Sequence, residues 1–295
     1  MKTAILRLLA VSGLVTSGVT MVRTASAAST INATHHHAYG ANFGWINARG
    51  DVTNGAVIGQ FYSTGHLYGA NVGWISLGSG TPANGYSYAN NSAADWGVNH
   101  DGAGGLRGMA YGANIGWVNF ENTGDPRVDL LTGDLSGYAW GANVGWISLN
   151  TSHAFVRTDT LDAGPDSDGD GIPDAWEYLM TGDLTTLGAH PADADGDGVS
   201  DYHEYLAGTD PLDDTSFFAL TDIHRQGDTN WVEWTVQPTR LYRLQHTDSL
   251  TGTPVWVDSG YGVMEPDLAP TMTRDVVTNA VHIFYRARAI VPLAP

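Results

Sequence analysis

The chain of 295 residues has no cysteine. No disulfide can staple it, so any reinforcement beyond a hydrophobic core must come from another kind of cross-link. Its one lysine is Lys2, which excludes lysine crosslinks, Schiff bases and phosphate-gripping lysines from everything downstream. Basic residues are scarce, 13 Lys and Arg against 31 Asp and Glu for a formal charge of −18. That balance excludes nucleic acid as a partner. Long apolar runs are missing after residue 27: nothing there approaches the ~18 apolar residues of a membrane helix, and residues 291–295 form no hydrophobic anchor. Also missing are the Gly-x-Ser-x-Gly and His-Glu-x-x-His patterns that would mark a hydrolase site.

What precedes residue 28 reads as a secretory signal. Lys2 and Arg7 lead, an apolar stretch runs from Leu8 to Val22, and Ala25-Ser-Ala27 offers a small-residue cleavage site. Cutting after Ala27 removes Lys2, Arg7 and Arg23 and leaves −21. The expected product is a secreted or cell-surface protein with no membrane span. With 42% apolar residues it is long enough for two or three domains with real cores.

Acidic residues are concentrated. Sixteen Asp and Glu lie between Thr158 and Ser216 with no Lys or Arg among them, which sets residues 159–216 apart as a module. Within it, residues 166–177 put five carboxylates into twelve positions. Two unit charges 4 Å apart repel by roughly 4 kcal/mol at an effective dielectric near 20, so the loop can close only around a positive charge. Laying the calcium-loop template on it puts Asp166, Asp168 and Asp170 at positions 1, 3 and 5. The Ile172 carbonyl takes position 7, Asp174 position 9 and Glu177 the closing carboxylate. A second copy supplies Asp193, Asp195, Asp197, the Val199 carbonyl, Asp201 and Glu204. The spacing has a chemical cause: Ca²⁺ takes six to eight hard oxygens, alternate residues of a tight loop point theirs inward, and Gly171 and Gly198 permit the bend. Helices over 173–180 and 200–207 would hold the two glutamates toward the ion. Two Ca²⁺ sites are expected, Mg²⁺ being the weaker fit because it resists dehydration.

These loops, with Gly208-Thr-Asp-Pro211 after the second, resemble the bacterial thrombospondin type 3-like calcium repeat over residues 166–214, and dockerin repeats less closely. The resemblance implies calcium-dependent rigidity in extracellular proteins that often carry adhesive or catalytic domains alongside. Residues 180–191 depart from the family's Gly-Thr-Asp-Pro phrase, which argues against a ligand role for Asp183.

From 28 to 158 one phrase returns four times: Tyr39-Gly-Ala-Asn-Phe-Gly-Trp45, Tyr68-Gly-Ala-Asn-Val-Gly-Trp74, Tyr111-Gly-Ala-Asn-Ile-Gly-Trp117 and Trp140-Gly-Ala-Asn-Val-Gly-Trp146. It resembles repeats of bacterial secreted proteins to which no activity attaches. The tryptophans are 29, 43 and 29 residues apart, a repeat architecture of strands and Gly-Ala-Asn turns. Closure into a barrel or ring, or stacking as a sandwich, stays open. Identical placement in four copies points to a shared packed core; the alternative is an aromatic platform for sugar rings, with Asn42, Asn71, Asn114 and Asn143 offering amides to hydroxyls. His35-His-His37 invites a metal, but neighbouring side chains of a strand point to opposite faces and the run stands at an N-terminus expected to be mobile.

Residues 217–295 show seven strand-like runs, at 217–223, 231–236, 241–244, 255–257, 261–264, 271–276 and 282–288. They predict a small β-sandwich of immunoglobulin or fibronectin type III character. The whole is therefore expected to be a mainly β, multidomain, calcium-binding structural or adhesive protein, with an extracellular glycan or a matrix or surface protein as partner. A calcium-stabilised carbohydrate-binding protein is the alternative. A hydrolase using carboxylates such as Asp51, Asp95, Asp101, Glu121, Asp125 and Asp129 is a third reading, and no enzyme activity is expected.

Overall fold

The computed structural model describes residues 28–50, 53–121, 123–268, 270–278 and 282–295; the predicted signal, 1–27, and Asp51 lie outside them. The chain forms two compact units, one reaching to Thr186 and taking in Pro292–Pro295, the other Leu187–Val291. The division thus runs between the two acidic loops. The protein is mainly β with two short helices, and no helix among the described residues is long and apolar enough to cross a membrane.

In the first unit the strands are β1 (Ile31–Gly40), β2 (Gly44–Asn47), β3 (His66–Gly69), β4 (Gly73–Ser76), β5 (Val98–His100), β6 (Leu106–Gly112), β7 (Gly116–Phe120), β8 (Arg127–Val128), β9 (Leu135–Ser136), β10 (Tyr138–Gly141), β11 (Gly145–Ser148) and β12 (Val156–Thr158). Each repeated phrase is one antiparallel hairpin: β1–β2, β3–β4, β6–β7 and β10–β11. Hairpins pair side by side, and the ring closes where Tyr39 meets Ser148 and Gly40 meets Ile147 across β1 and β11. The result is an eight-stranded antiparallel barrel. Closure satisfies the backbone groups that the two edge strands would otherwise expose. The first half of β1 continues beyond the barrel to pair with β12, and β5 adds to β6.

The repeated phrase is legible residue by residue. Its first glycine pairs with its second across the mouth of the hairpin, as Gly40 with Gly44 and Gly112 with Gly116. The apolar residue between them folds back over the first: a Cβ on Gly69 would lie 2.6 Å from Val72, and one on Gly112 or Gly141 2.7 Å from Ile115 or Val144. The second glycine, at φ 77° in Gly73 and Gly145, sits where L side chains are strained. The asparagines form a closed cycle. Asn71 Nδ2 donates to Phe43 O (2.8 Å), Asn114 to Val72 O (3.2 Å), Asn143 to Ile115 O (3.0 Å), and Asn42 to Val144 O (3.0 Å), each turn gripping its neighbour's.

Inside, small faces large across three hairpins, Ala38 opposite Ile46, Ala110 opposite Val118 and Ala139 opposite Ile147, while in the fourth Leu67 faces Ile75. A void within, bounded by Ile58, Leu77, Leu106 and Val156 among others, is apolar and about 30 Å³. That is room for a water or two and not for a ligand. The barrel is a core and not a container.

The repeated aromatics are on the other face, so the shared-core reading of them is overturned. Trp45, Trp74, Trp117 and Trp146 are 44% to 49% exposed, and Tyr39, Tyr68, Tyr111 and Trp140 stand outward beside them. Alternation alone could not decide this, because Trp-Ile puts an apolar residue on both faces; an interior sized for Ala opposite Ile has no volume for indoles. The stagger of the barrel lines the outward residues into four rows that correspond in register. One reads His37, Asn47, Tyr68, Trp74 and the next His66, Ser76, Tyr111, Trp117. A third runs Met109, Asn119, Trp140, Trp146 and the last Tyr138, Ser148, Tyr39, Trp45. The histidine run is ordered strand, not a mobile end: His35 stacks on Phe155 at 4.2 Å, and His37 meets Trp45 at 6.1 Å.

In the second unit, β13 (Leu220–Gln226), β14 (Thr229–Thr235) and β17 (Thr271–Val277) form one sheet, and β16 (Val257–Asp258), β15 (Leu241–Thr247) and β18 (Phe284–Ile290) another. The two share a core of Val232, Trp234, Tyr242, Leu244, Met272 and Tyr285. Of the seven predicted runs, 261–264 makes no strand, only a bridge from Met264 to Tyr242.

Two substitutions test the account of the turns. Gly112→Ala should destabilise the barrel by about 1–3 kcal/mol through overpacking against Ile115, and Asn114→Ala by about 1 kcal/mol through the lost bond to Val72 O. Urea unfolding followed by tryptophan fluorescence measures both.

Candidate metal centre

Each acidic loop precedes a helix, α1 (Asp174–Met180) and α2 (Asp201–Ala207), with Pro173 and Ser200 at the N-cap positions. The loops are near copies. In the first, Asp166 accepts Gly169 N (2.8 Å) and Gly171 N (3.0 Å), and Asp170 accepts Ile172 N (2.7 Å). In the second, Asp193 accepts Gly196 N (2.7 Å) and Gly198 N (3.0 Å), and Asp197 accepts Val199 N (2.6 Å). Gly171 and Gly198, at φ 96° and 94°, make the bend that brings these carboxylates round. The consequence is two triplets, Asp166–Asp168–Asp170 and Asp193–Asp195–Asp197, each with its ligand oxygens within 4.8 Å of one another. Among the described residues no other group of three or more His, Asp or Glu converges in this way.

The closing glutamates are the most telling residues. Glu177 and Glu204 are both 0% exposed. Neither oxygen of Glu177 has a hydrogen-bond partner, and Glu204 has one, the Thr209 hydroxyl at 3.1 Å on Oε1, with Oε2 bare. Burial, then the charges of Asp170, Asp168, Asp174 and Asp166, pushes the Glu177 carboxyl up to about 8. Burial pushes Glu204 up to about 8 as well, against the Thr209 bond and with Asp195, Asp197 and Asp201 adding to it. A buried carboxylate without donors is costly, and no Lys or Arg lies between Thr158 and Ser216. Oxygens in this number and disposition suit a hard divalent cation, and the donor set is consistent with calcium.

Asp174 and Asp201 stand outside the triplets and hold the loops shut. Asp174 accepts Ser167 N and Ser167 Oγ, both at 2.6 Å, and Asp201 accepts Ala194 N (2.8 Å) and Gly188 N (3.0 Å). Ile172, with its side chain buried, and Val199 each stand two residues after their loop's third aspartate and donate their amides to it. Asp183 accepts the amides and hydroxyls of Thr185 and Thr186 in a separate turn. Of the carboxylates considered for hydrolysis, Asp95, Asp101 and Asp129 accept loop amides, and Asp125 lies between Arg107 (3.7 Å) and Arg127 (3.5 Å).

Arg240 is the residue that the sequence reading missed. Neither helix carries a basic residue in its last turn, and the buried Arg240 guanidinium supplies that charge to α2 from the start of β15. It donates to Leu206 O (2.9 Å) and Tyr205 O and to Thr239 O (3.0 Å). A cation on the exposed carbonyls of a helix C-terminus is favourable, and this one fastens the helix bearing Glu204 to the sheet of the second unit. The bare C-terminus of α2 was the available clue; the partner came from 34 residues away. Arg240→Ala should lower the stability of the second unit by about 2–4 kcal/mol, since it removes the charged donor and leaves the carbonyls of Leu206 and Tyr205 without it, read as an earlier transition in thermal unfolding.

The glutamates set a pH dependence. Their unfolded value is about 4.3, so between there and about 8 the metal-free folded state holds more protons than the unfolded one. Its stability should fall as pH rises through that window. A bound divalent ion requires the ionised carboxylates, so at pH 7 loading should expel close to one proton per loop. Calorimetric titration with calcium in two buffers of different ionisation enthalpy reads the proton count, and melting against pH with and without metal reads the slope.

Residues 166–178 and 193–214 match the family model of the bacterial TSP3 repeat. No curated protein and no solved structure matches the chain. The two loops, with their triplets of aspartate, are the part of this chain that has the sequence of bacterial TSP3 repeats.

Proposed function

We propose that the protein is a secreted calcium-binding structural or adhesive protein, in which each acidic loop takes one Ca²⁺ and the ions replace the disulfides that the chain lacks. The observation that carries this is the pair of buried glutamates, Glu177 and Glu204, each feeling the charges of its loop's aspartates, beside two converging aspartate triplets with no Lys or Arg in the segment. The likeness of both loops to bacterial TSP3 repeats supports the choice of ion, and the signal-like composition of residues 1–27 supports an extracellular setting.

The role is mechanical and non-catalytic. In the first unit the ion fixes α1, whose Trp176 is buried and whose Tyr178 packs on Gly85. In the second it fixes α2, which Arg240 ties to β15. Calcium therefore stiffens the chain on both sides of the division between Thr186 and Leu187. At free calcium 100-fold above Kd each site contributes about 2.7 kcal/mol to the folded state.

Calorimetry on the purified chain should register two calcium sites, with Asp168→Asn and Asp195→Asn each removing one. Adding EDTA should lower the melting temperature and open residues 160–215 to proteases. Unchanged melting and cleavage in EDTA would refute the proposal.

A further inference from the structure

The barrel accounts for most of its repeated phrase and leaves one part over. Closure needs the glycines, the asparagine and the folded-back apolar residue, and the interior needs Ala and Ile. The outward aromatic pair, Tyr-Trp in three hairpins and Trp140–Trp146 in the fourth, fills no space inside, yet it recurs on all four sides. Within three pairs the rings meet edge to face, Tyr39 with Trp45 and Tyr111 with Trp117 both at 4.9 Å, and Tyr68 lies tilted on Trp74 at 4.8 Å. Such contacts steady a hairpin, and they leave nearly half of each indole in water.

What lies beside the rings narrows the ligand. Each row continues from its aromatic pair into Asn or Ser, and in two rows then into His, with no Asp, Glu, Lys or Arg in any row. The rows themselves are uncharged on a chain of formal charge −18. A polyanion is repelled by that net charge, and a cationic partner is drawn to the acidic loops instead. A neutral ligand with flat apolar faces and hydroxyl edges complements aromatic planes interleaved with amides and hydroxyls.

We propose that the four outward rows of the barrel are binding sites for a neutral polysaccharide of β-linked pyranose units, whose sugar faces rest on Trp45, Trp74, Trp117 and Trp146, with Trp96 standing beside Trp117 at 5.2 Å as an added ring in that row. The asparagines of the turns are not the polar contacts; their amides are committed to the neighbouring turns. The polar contacts come from the row residues, such as Asn47 and His37 beside Tyr68 and Trp74. Four sites around one barrel make binding multivalent, so a long chain or a particle surface is held far more tightly than a short oligosaccharide. The site is separate from the metal centre and stands whether or not the calcium reading does.

The test uses the chain from residue 28 onward with calcium present, and calcium uptake is measured beforehand without sugar so that the two readings fail separately. β-1,4-Linked hexasaccharides of glucose and of N-acetylglucosamine are titrated while tryptophan fluorescence is followed, with alginate as the anionic control. Insoluble cellulose and chitin are used for co-sedimentation. Expected is a saturable fluorescence change with at least one neutral hexasaccharide and none with alginate. Trp74→Ala together with Trp117→Ala should weaken retention on the insoluble polymer by on the order of a hundredfold, about tenfold per site. Trp231→Ala, an exposed tryptophan of the second unit, should leave it unchanged. The milder Trp74→Phe and Trp117→Phe pair keeps the test valid if the alanine variant fails to fold, and it should weaken retention several-fold. The proposal is overturned if no neutral saccharide binds, if only alginate binds, or if the folded double variant binds as the parent does. Self-association of the parent that the double variant loses, without any sugar binding, would assign the rows to a second copy of the chain and overturn it equally.

Discussion

Charge without counter-charge governs the middle of this molecule. Sixteen carboxylates occupy residues 159–216 without a single Lys or Arg, and the fold takes the two least tolerant of them, Glu177 and Glu204, wholly out of water. A carboxylate so placed either keeps its proton or finds a cation. The surrounding aspartates are held by backbone amides in geometries that leave oxygens converging, and Asp174 and Asp201 lock the loop backbones that present them. Everything proposed for the segment follows from that frustration: stiffness when an ion is bound, and repulsion and protonation when it is not.

The barrel solves a different problem with different means. A chain without disulfides closes eight short strands into a ring and cross-links the ring at one end by four asparagine bonds that run from each turn to its neighbour. The bonds are ordinary in length, and their strength lies in being cyclic: no turn can move without disturbing another. Because closure and core use only one face of each strand and the residues of the turns, the other face is left to vary. There the sequence holds aromatic rings four times over, which is why the outer surface, and not the interior, is where recognition is sought.

The two halves of the chain also differ in how they reveal themselves. In the loops, ligand spacing is local, and the template placed Asp166, Asp168 and Asp170 and their counterparts in the clusters that the structure assembles. It did not foresee that Asp174 and Asp201 bond Ser167 and Ala194, since loop-internal hydrogen bonds depend on where the backbone amides point. Nor could it supply Arg240, because a helix C-terminus recruits its cation from whatever strand happens to pack beneath it. In the second unit, alternation marked most strands correctly, while the run at 261–264 had the composition of a strand and lacked a neighbour to pair with along its length.

The amino-acid sequence by itself determined the things that depend on neighbours in the chain. These are the mainly β character, the four hairpins with their Gly-Ala-Asn turns, the two acidic loops and the helices that close them. Tertiary structure alone decided that the hairpins join into a ring, because the closing contact of Tyr39 with Ser148 joins residues far apart in the sequence. It alone decided which face of Trp-Ile turns inward, because the interior volume exists only once eight strands surround it. Local rules fix what a segment can be; the space left by all the other segments fixes which way it faces.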